Sequence, residues 1–303
     1  MSKIVASLVF LSCFCVSVAC AQGFPGLLPN VTVTSFAQAG YAHMGSNMNL
    51  PIAAEIVNPN IGDLEIGNMD LTLQDANFWI GNVGFTATAS ELFSVSALAG
   101  GMLPRTFGST GEVPVNLNGT GVSPVIVFTN TGLNTWYVQG GIGLGPILAG
   151  VYYNYFAVDF GQPRQGSVPL ANQTLGGVVI SKTLVPYVGL AIPAGGALGT
   201  ILYSPLAYSN TTLDIRSSAT TVSQLQFKWN KPGNFISSTL QYNMPVSGAT
   251  SFGLWVNYTW MMVRGNAEVE FVNASPFLVR QKDVTATVTQ YAIQGGVTLG
   301  ITF

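Results

Sequence analysis

A chain of 303 residues with a net charge of −2 and only 7% charged side chains excludes several classes at once. Ordinary soluble domains carry about 25% charged residues, and a water-facing surface this poor in charge would associate. There is no cluster of Lys or Arg that could hold a nucleic acid.

In chain order, the first element is a secretion signal. Lys3 supplies the positive start, "IVASLVFLSCFCVSV" the apolar middle and Ala19-Cys20-Ala21 a small-x-small cleavage site, which predicts a mature chain beginning at Gln22. Lipid attachment at Cys20 would need an aliphatic residue three places earlier, where Ser17 stands. All three cysteines (Cys13, Cys15 and Cys20) precede the cut, so the mature chain has neither thiol nor disulfide chemistry.

Residues 22–62, rich in Asn, Pro, Ala and Gly, show no clear period. They are expected to form a lead-in, an inward plug or one more hairpin. Residues 63–303 read as a single β domain. Trp79, Val83 and Phe85 alternate with Asn82, Thr86 and Thr88, and Trp136, Val138 and Ile142 alternate with Thr135, Tyr137 and Gln139. The uncharged stretches "VQGGIGLGPILAGVYYNYFAV" and "TLVPYVGLAIPAGGALGTILYSPLAYS" are long enough for membrane helices. Their Gly-Gly pairs, their prolines (Pro146, Pro186, Pro193 and Pro205) and their Val, Ile, Thr and Tyr content favour strands.

The alternation sharpens in the last third. Leu225, Phe227 and Trp229 share one face, with Gln224, Gln226 and Lys228 on the other. After "KPGN", Ile236, Leu240, Tyr242 and Met244 oppose Gln241 and Asn243. In "SFGLWVNYTWMM" the even positions are apolar and the odd ones include Trp255 and Asn257; after "RGN", Ala267, Val269 and Phe271 alternate with Glu268 and Glu270. "KPGN" and "RGN" read as tight turns. The polar faces hold mostly Ser, Thr, Gln, Asn and Gly where a soluble sandwich would carry Lys and Glu. The chain closes on "YAIQGGVTLGITF", with Tyr291, Val297, Leu299, Ile301 and Phe303 on one face.

That last strand resembles the C-terminal strand of bacterial outer-membrane β-barrel proteins, which the barrel-assembly machinery reads as an insertion signal. It departs from the usual pattern in having Thr298 where Gly is common. The resemblance implies a transmembrane antiparallel up-and-down barrel in the outer membrane of a Gram-negative bacterium, and counting strands and turns back from Phe303 gives about 12 strands, within a range of 10 to 14. It implies outer-membrane lipid and lipopolysaccharide as surroundings and the assembly machinery as a transient partner. On this reading the segments 143–146, 193–196, 230–234 and 264–266 are periplasmic turns, and "PVSGA" is a short exception on the long-loop side.

Chemistry has little to build on. His43 is the only histidine, so a histidine-based dyad has one possible base and a metal-ligand pair has no partner; in "GYAHMGSN" it reads as a loop or strand-end residue, and no enzyme is expected. Asp63, Glu65, Asp70 and Asp75 form a local acidic cluster that reads as a solvated strand end. "GGIGLGP" lacks the spacing of a dinucleotide loop, and no cofactor or metal is expected. The predicted lumen-facing polar set is Gln224, Gln226, Lys228, Gln241, Asn243, Asn257, Glu268 and Glu270. A lumen with so few charges suits a weakly selective pore for small solutes. The alternative is a closed structural or surface-interaction barrel acting through its outer loops.

Overall fold

A computed structural model describes residues 31–58, 62–90, 92–103, 113–118, 125–128, 132–160, 163–165, 168–169, 175–217, 220–271 and 281–303. Among these residues there is no helix, and the strands they form pair antiparallel throughout. The strands are β1 (Thr32–Asn58), β2 (Gly62–Ser90), β3 (Phe93–Met102), β4 (Val113–Asn118), β5 (Val125–Phe128), β6 (Gly132–Leu144), β7 (Ile147–Phe160), β8 (Pro163–Gln165), β9 (Val168–Pro169), β10 (Leu175–Ala194), β11 (Ala197–Ser217), β12 (Thr220–Trp229), β13 (Gly233–Ser247), β14 (Thr250–Phe271) and β15 (Gln281–Thr302).

The hydrogen-bonded ladder closes on itself. β1 pairs with β15 on one side and β2 on the other, and the ring continues through β3, β6, β7, β10, β11 and β14 back to β15. Between β11 and β14, β12 and β13 share one place: β12 pairs with the far halves of both neighbours and β13 with their near halves. The closed ring therefore runs through ten strands, the lower end of the expected range. Thr34 Oγ1 and Thr302 Oγ1 sit 3.1 Å apart across the β1–β15 junction, and the Phe303 amide donates to the Val33 carbonyl at 2.8 Å.

Two expected turns are corrected. Arg264, Gly265 and Asn266 lie inside β14, paired with Thr287, Ala286 and Thr285 of β15. Residues 230–232 interrupt one descending line from β12 to β13 without reversing it. Among the described residues, four tight reversals, at Leu92, at 145–146, at 195–196 and at 248–249, lie on the same end as Phe303. Gly145, Gly195 and Gly248 take positive φ there, which only glycine adopts without strain. "PVSGA" belongs to this short-turn end, and not to the long-loop side. The ring also begins at Thr32, inside the stretch left as a lead-in, plug or hairpin, rather than at residue 63. Pro186 and Pro205 fall where the β10–β11 ladder is irregular, which is how a sheet accommodates a residue with no amide donor.

Strand length sets the height of the cylinder. β14 and β15 each have 22 residues and β2 has 29. At about 3.3 Å per residue and a tilt near 40°, a strand of that size stands roughly 55 Å tall, twice the apolar band of about 25 Å that a membrane barrel needs. The ten-strand cylinder is too long to be covered by lipid along its whole height.

The side chains show where the lipid band ends. Near the short-turn end the outward residues are Leu254, Val256 and Tyr258 on β14, Ile293, Val297, Leu299 and Ile301 on β15, and Val138 and Ile142 on β6, all exposed. Each run ends at an aromatic residue: Tyr41, Trp79, Trp136, Tyr208, Tyr258 and Tyr291. Tyr41 meets Trp79 edge-on at 5.6 Å, and Trp136 stacks on Tyr155 at 5.4 Å. Beyond this belt the outward residues turn polar (Asn47, Asn210, Arg264, Asn266, Thr287) and the inward ones turn apolar (Met48, Leu50, Leu71, Leu213, Val288). The amphipathic pattern inverts along the long strands β1, β2, β11, β14 and β15.

Candidate functional site

The bore is the one described region where several strands point polar side chains at a shared volume. At the short-turn end a cavity of ≈ 560 Å³ opens between Leu92, Gly145 and Pro193, residues at or beside the turns. Its wall is neutral: Gln38, Asn82, Gln139, Gln241, Asn257 and Gln294 supply amides, and Thr86, Ser94, Ser96, Thr200 and Thr239 supply hydroxyls. Among the described residues no Asp, Glu, Lys, Arg or His lines it.

The amides are held by one another. Asn82 Nδ2 donates to Gln38 Oε1 at 3.0 Å, and Tyr137 Oη donates to Asn82 Oδ1 at 3.0 Å. Asn257 Nδ2 donates to Thr239 Oγ1 at 2.8 Å and Ser237 Oγ at 3.1 Å, while Thr259 Oγ1 donates to Asn257 Oδ1 at 2.9 Å. Tyr187 reaches across from β10 to accept from Gln139 Nε2 and to donate to the Gly140 carbonyl, both at 3.3 Å. The glycines beneath it, Gly141 and Gly150, leave room for its hydroxyl where a Cβ would collide.

Among the described residues the cavity does not continue as a wide channel. Its inner end is bounded by Tyr137, Tyr152, Trp255, Thr259 and Gln294. The next void is only ≈ 30 Å³, lined by Met44, Phe78, Ile80, Phe235 and Met261 among others. Beyond it Phe156, Phe227, Leu213, Leu225, Val179 and Val288 are fully buried in one apolar cluster.

Of the predicted lumen residues, Gln241 and Asn257 line the cavity. Asn243 lies exposed near its mouth, accepting from Gln241 Nε2 at 3.0 Å. The others are corrected. Gln224, Gln226 and Lys228 alternate with inward-facing Leu225 and Phe227, both fully buried, so they point out of the barrel. Gln224 Nε2 donates to Asp214 Oδ1 at 2.7 Å and Gln226 Nε2 to Asn210 Oδ1 at 3.1 Å, on the outside of the wall. Glu268 is the direct ladder partner of Lys228 and therefore shares its outer face. Glu270 sits opposite Gln226 in the ladder, and its side chain lies outside the described residues. The reason is the inversion: above the aromatic belt the water is outside and the apolar core inside. The predicted lumen set left out Gln139 and Gln294, although the alternation places both on the polar face, and sequence reading missed Gln38 and Tyr187 altogether.

The side chains of Tyr291, Val297, Leu299, Ile301 and Phe303 all face outward on β15 or at its end. His43 also points outward, just beyond Tyr41, with Nδ1 3.0 Å from Asn77 Oδ1 and its ring 6.3 Å from Tyr291. Asn49 Nδ2 donates to Asp70 Oδ1, while the side chains of Asp63, Glu65 and Asp75 lie outside the described residues. Among the described residues no three His, Cys, Asp or Glu side chains come together in a way that could hold a metal.

No protein-family model matches the chain, and no curated protein matches it in sequence. Solved structures do. The outer membrane protease OmpT from Escherichia coli superposes with a TM-score of 0.67 at 13% identity, over 90% of this chain and 97% of that one. The translocator domain of the autotransporter NalP from Neisseria meningitidis gives 0.35 at 10% identity, covering 99% and 96% of the two chains. The toluene transporter TodX from P. putida gives 0.28 at 8% identity, covering 91% of each. Only the first score is high enough to bear on the fold. It corrects the expectation that the chain is not an enzyme, since a barrel of this form is the scaffold of a protease. At 13% identity the likeness extends to the fold and no further. A ring of ten antiparallel strands with a lipid-type outer face, an aromatic belt and this superposition is the fold of an outer-membrane β-barrel.

Proposed function

We propose that this protein is a bacterial outer-membrane barrel closed to through-flow, which acts at the end of its cylinder that stands clear of the lipid. The observation that carries this reading is the packed interior. Phe156, Phe227 and Phe235 are fully buried inside the bore above the cavity, and the void there falls from ≈ 560 Å³ to ≈ 30 Å³. A weakly selective pore needs a continuous wet path, and side chains at protein-interior density do not provide one. The closed structural or surface-interaction barrel is therefore preferred to the small-solute channel.

In this reading the outward face below the aromatic belt contacts membrane lipid and the acyl chains of lipopolysaccharide. The short turns face the periplasm, and the polar-surfaced half projects into the medium. The row Val297, Leu299, Ile301 and Phe303 presents to the assembly machinery the apolar face that later meets lipid.

Planar-bilayer recording tests the proposal. The wild-type barrel is expected to show no stable current at any voltage, and a steady open level would sink the reading. The double variant Phe156→Ala, Phe235→Ala removes two fully buried rings from the constriction and is expected to conduct if it still inserts.

A further inference from the structure

We propose that the neutral cavity at the short-turn end is a binding site for a small uncharged polyhydroxylated ligand, of the size of a mono- or disaccharide, entering from the periplasmic side. Three observations carry it. The first is size: ≈ 560 Å³ lies within the 300–1,000 Å³ range of small-molecule sites, and the packed core above makes it a dead end.

The second is the chemistry of the wall. An amide presents donor and acceptor together, and a hydroxyl group does the same, so amides and hydroxyls satisfy a sugar's groups without demanding charge. An ionised ligand would find no counter-charge and would lose its hydration without compensation. Tyr137, Tyr152 and Trp255 at the inner end add apolar surface suited to the carbon-bound faces of a sugar ring. The wall is already organised, since Gln38, Asn82 and Asn257 are fixed by side-chain hydrogen bonds. Little ordering is left for a ligand to impose.

The third is a polar group with nothing to bond. Gln294 lines the cavity and is only 8% exposed, yet its Oε1 is buried with no hydrogen-bond partner among the described residues. Buried amide oxygens are rarely left so, and a side-chain rotation that turns this one toward the cavity offers it to a ligand hydroxyl.

The inference rests on the outer-membrane reading only for the compartment that the mouth faces. The test uses the full mature barrel in a zwitterionic detergent, because maltoside headgroups would compete. Maltose, sucrose and N-acetylglucosamine are titrated by calorimetry, with glucuronate as the charged comparator. At least one neutral sugar is expected to bind saturably at one site, and glucuronate at least tenfold more weakly. Gln294→Met should weaken binding at least tenfold, and Thr239→Val should weaken it if the first variant fails to fold. Arg264→Gln, on the outer wall, should leave it unchanged. The proposal is overturned if none of the three sugars binds, or if binding ignores both cavity variants. It is also overturned if sugar binds only after residues 22–30 are deleted, which would assign the cavity to the chain's own lead-in. A conducting barrel would sink the closed reading but not this one, since the sugar would then show as block of current.

Discussion

Near the short-turn end, β14 puts Leu254, Val256 and Tyr258 outside and Gly253, Trp255 and Asn257 inside. Further along, the same strand puts Arg264 and Asn266 outside and Val263 and Ala267 inside. The lower half is a membrane protein, apolar without and polar within; the upper half is built like a soluble β-barrel. Both halves share the same strands, ladder and pleat. The solvent differs, and the side chains change with it, because an apolar surface is costly in water and a polar one is costly in lipid. A strand that leaves the membrane must therefore exchange its faces.

The comparison can be broken at each of its four faces. The largest effect is expected inside the upper half, where Phe227 is fully buried. Phe227→Ala should destabilise the barrel by about 3–5 kcal/mol, measured by urea unfolding in detergent. A change below 0.5 kcal/mol, as an order-of-magnitude bound for unpacked surface positions, would mean that the upper bore is not packed.

Next comes the outside of the lower half. Val256→Lys places a charge in the lipid band and should cost about 2–4 kcal/mol of stability in bilayer vesicles, with a matching fall in folded yield. The same change outside the upper half, Gln226→Lys, should stay within about 0.5 kcal/mol of wild type. If Val256→Lys and Gln226→Lys were equally harmful or equally mild, lipid would not end at the aromatic belt and the two halves would be one.

The smallest expected loss of stability belongs to the inside of the lower half, with only the near-neutral Gln226→Lys below it. Tyr187→Phe removes a hydroxyl that bonds Gln139 and the Gly140 carbonyl, and should cost about 1 kcal/mol in the same urea assay. No loss at all would mean that water replaces these bonds, and so that the cavity is wetter and less ordered than its network implies.

Much of the fold was legible in the sequence, and the part that was not has one physical origin. The apolar residues sit at odd positions in Leu225, Phe227 and Trp229 and at even positions in Ile236, Leu240 and Tyr242. They sit at even positions through Met262 and at odd ones from Ala267. A change of phase beside "KPGN" or "RGN" looks like a turn, because a hairpin lets each new strand choose its own register. It is also what one straight strand shows on crossing from lipid to water, and single-strand periodicity does not separate the two. Reading the phase changes as turns added strands and put Gln224, Gln226, Lys228 and Glu268 on the wrong face. Within the lipid band, where no flip intervenes, the same alternation placed Gln241 and Asn257 on the cavity wall. Gln38 lay in a stretch with no readable period, and only its cross-strand partner Asn82 reveals its role.

The junction of β1 with β15 carries a last consequence, for timing. It joins Thr34 to Thr302, which are 268 residues apart in sequence, and no local contact can stand in for it. Every other wall of the ring forms from strands close in the chain, so this seam closes last, after β15 has been made and delivered. Until then two long unpaired strand edges lie open, one at each side of a curled sheet whose outer surface repels water. The rate of that single encounter between the first and last strands should limit how fast the barrel matures.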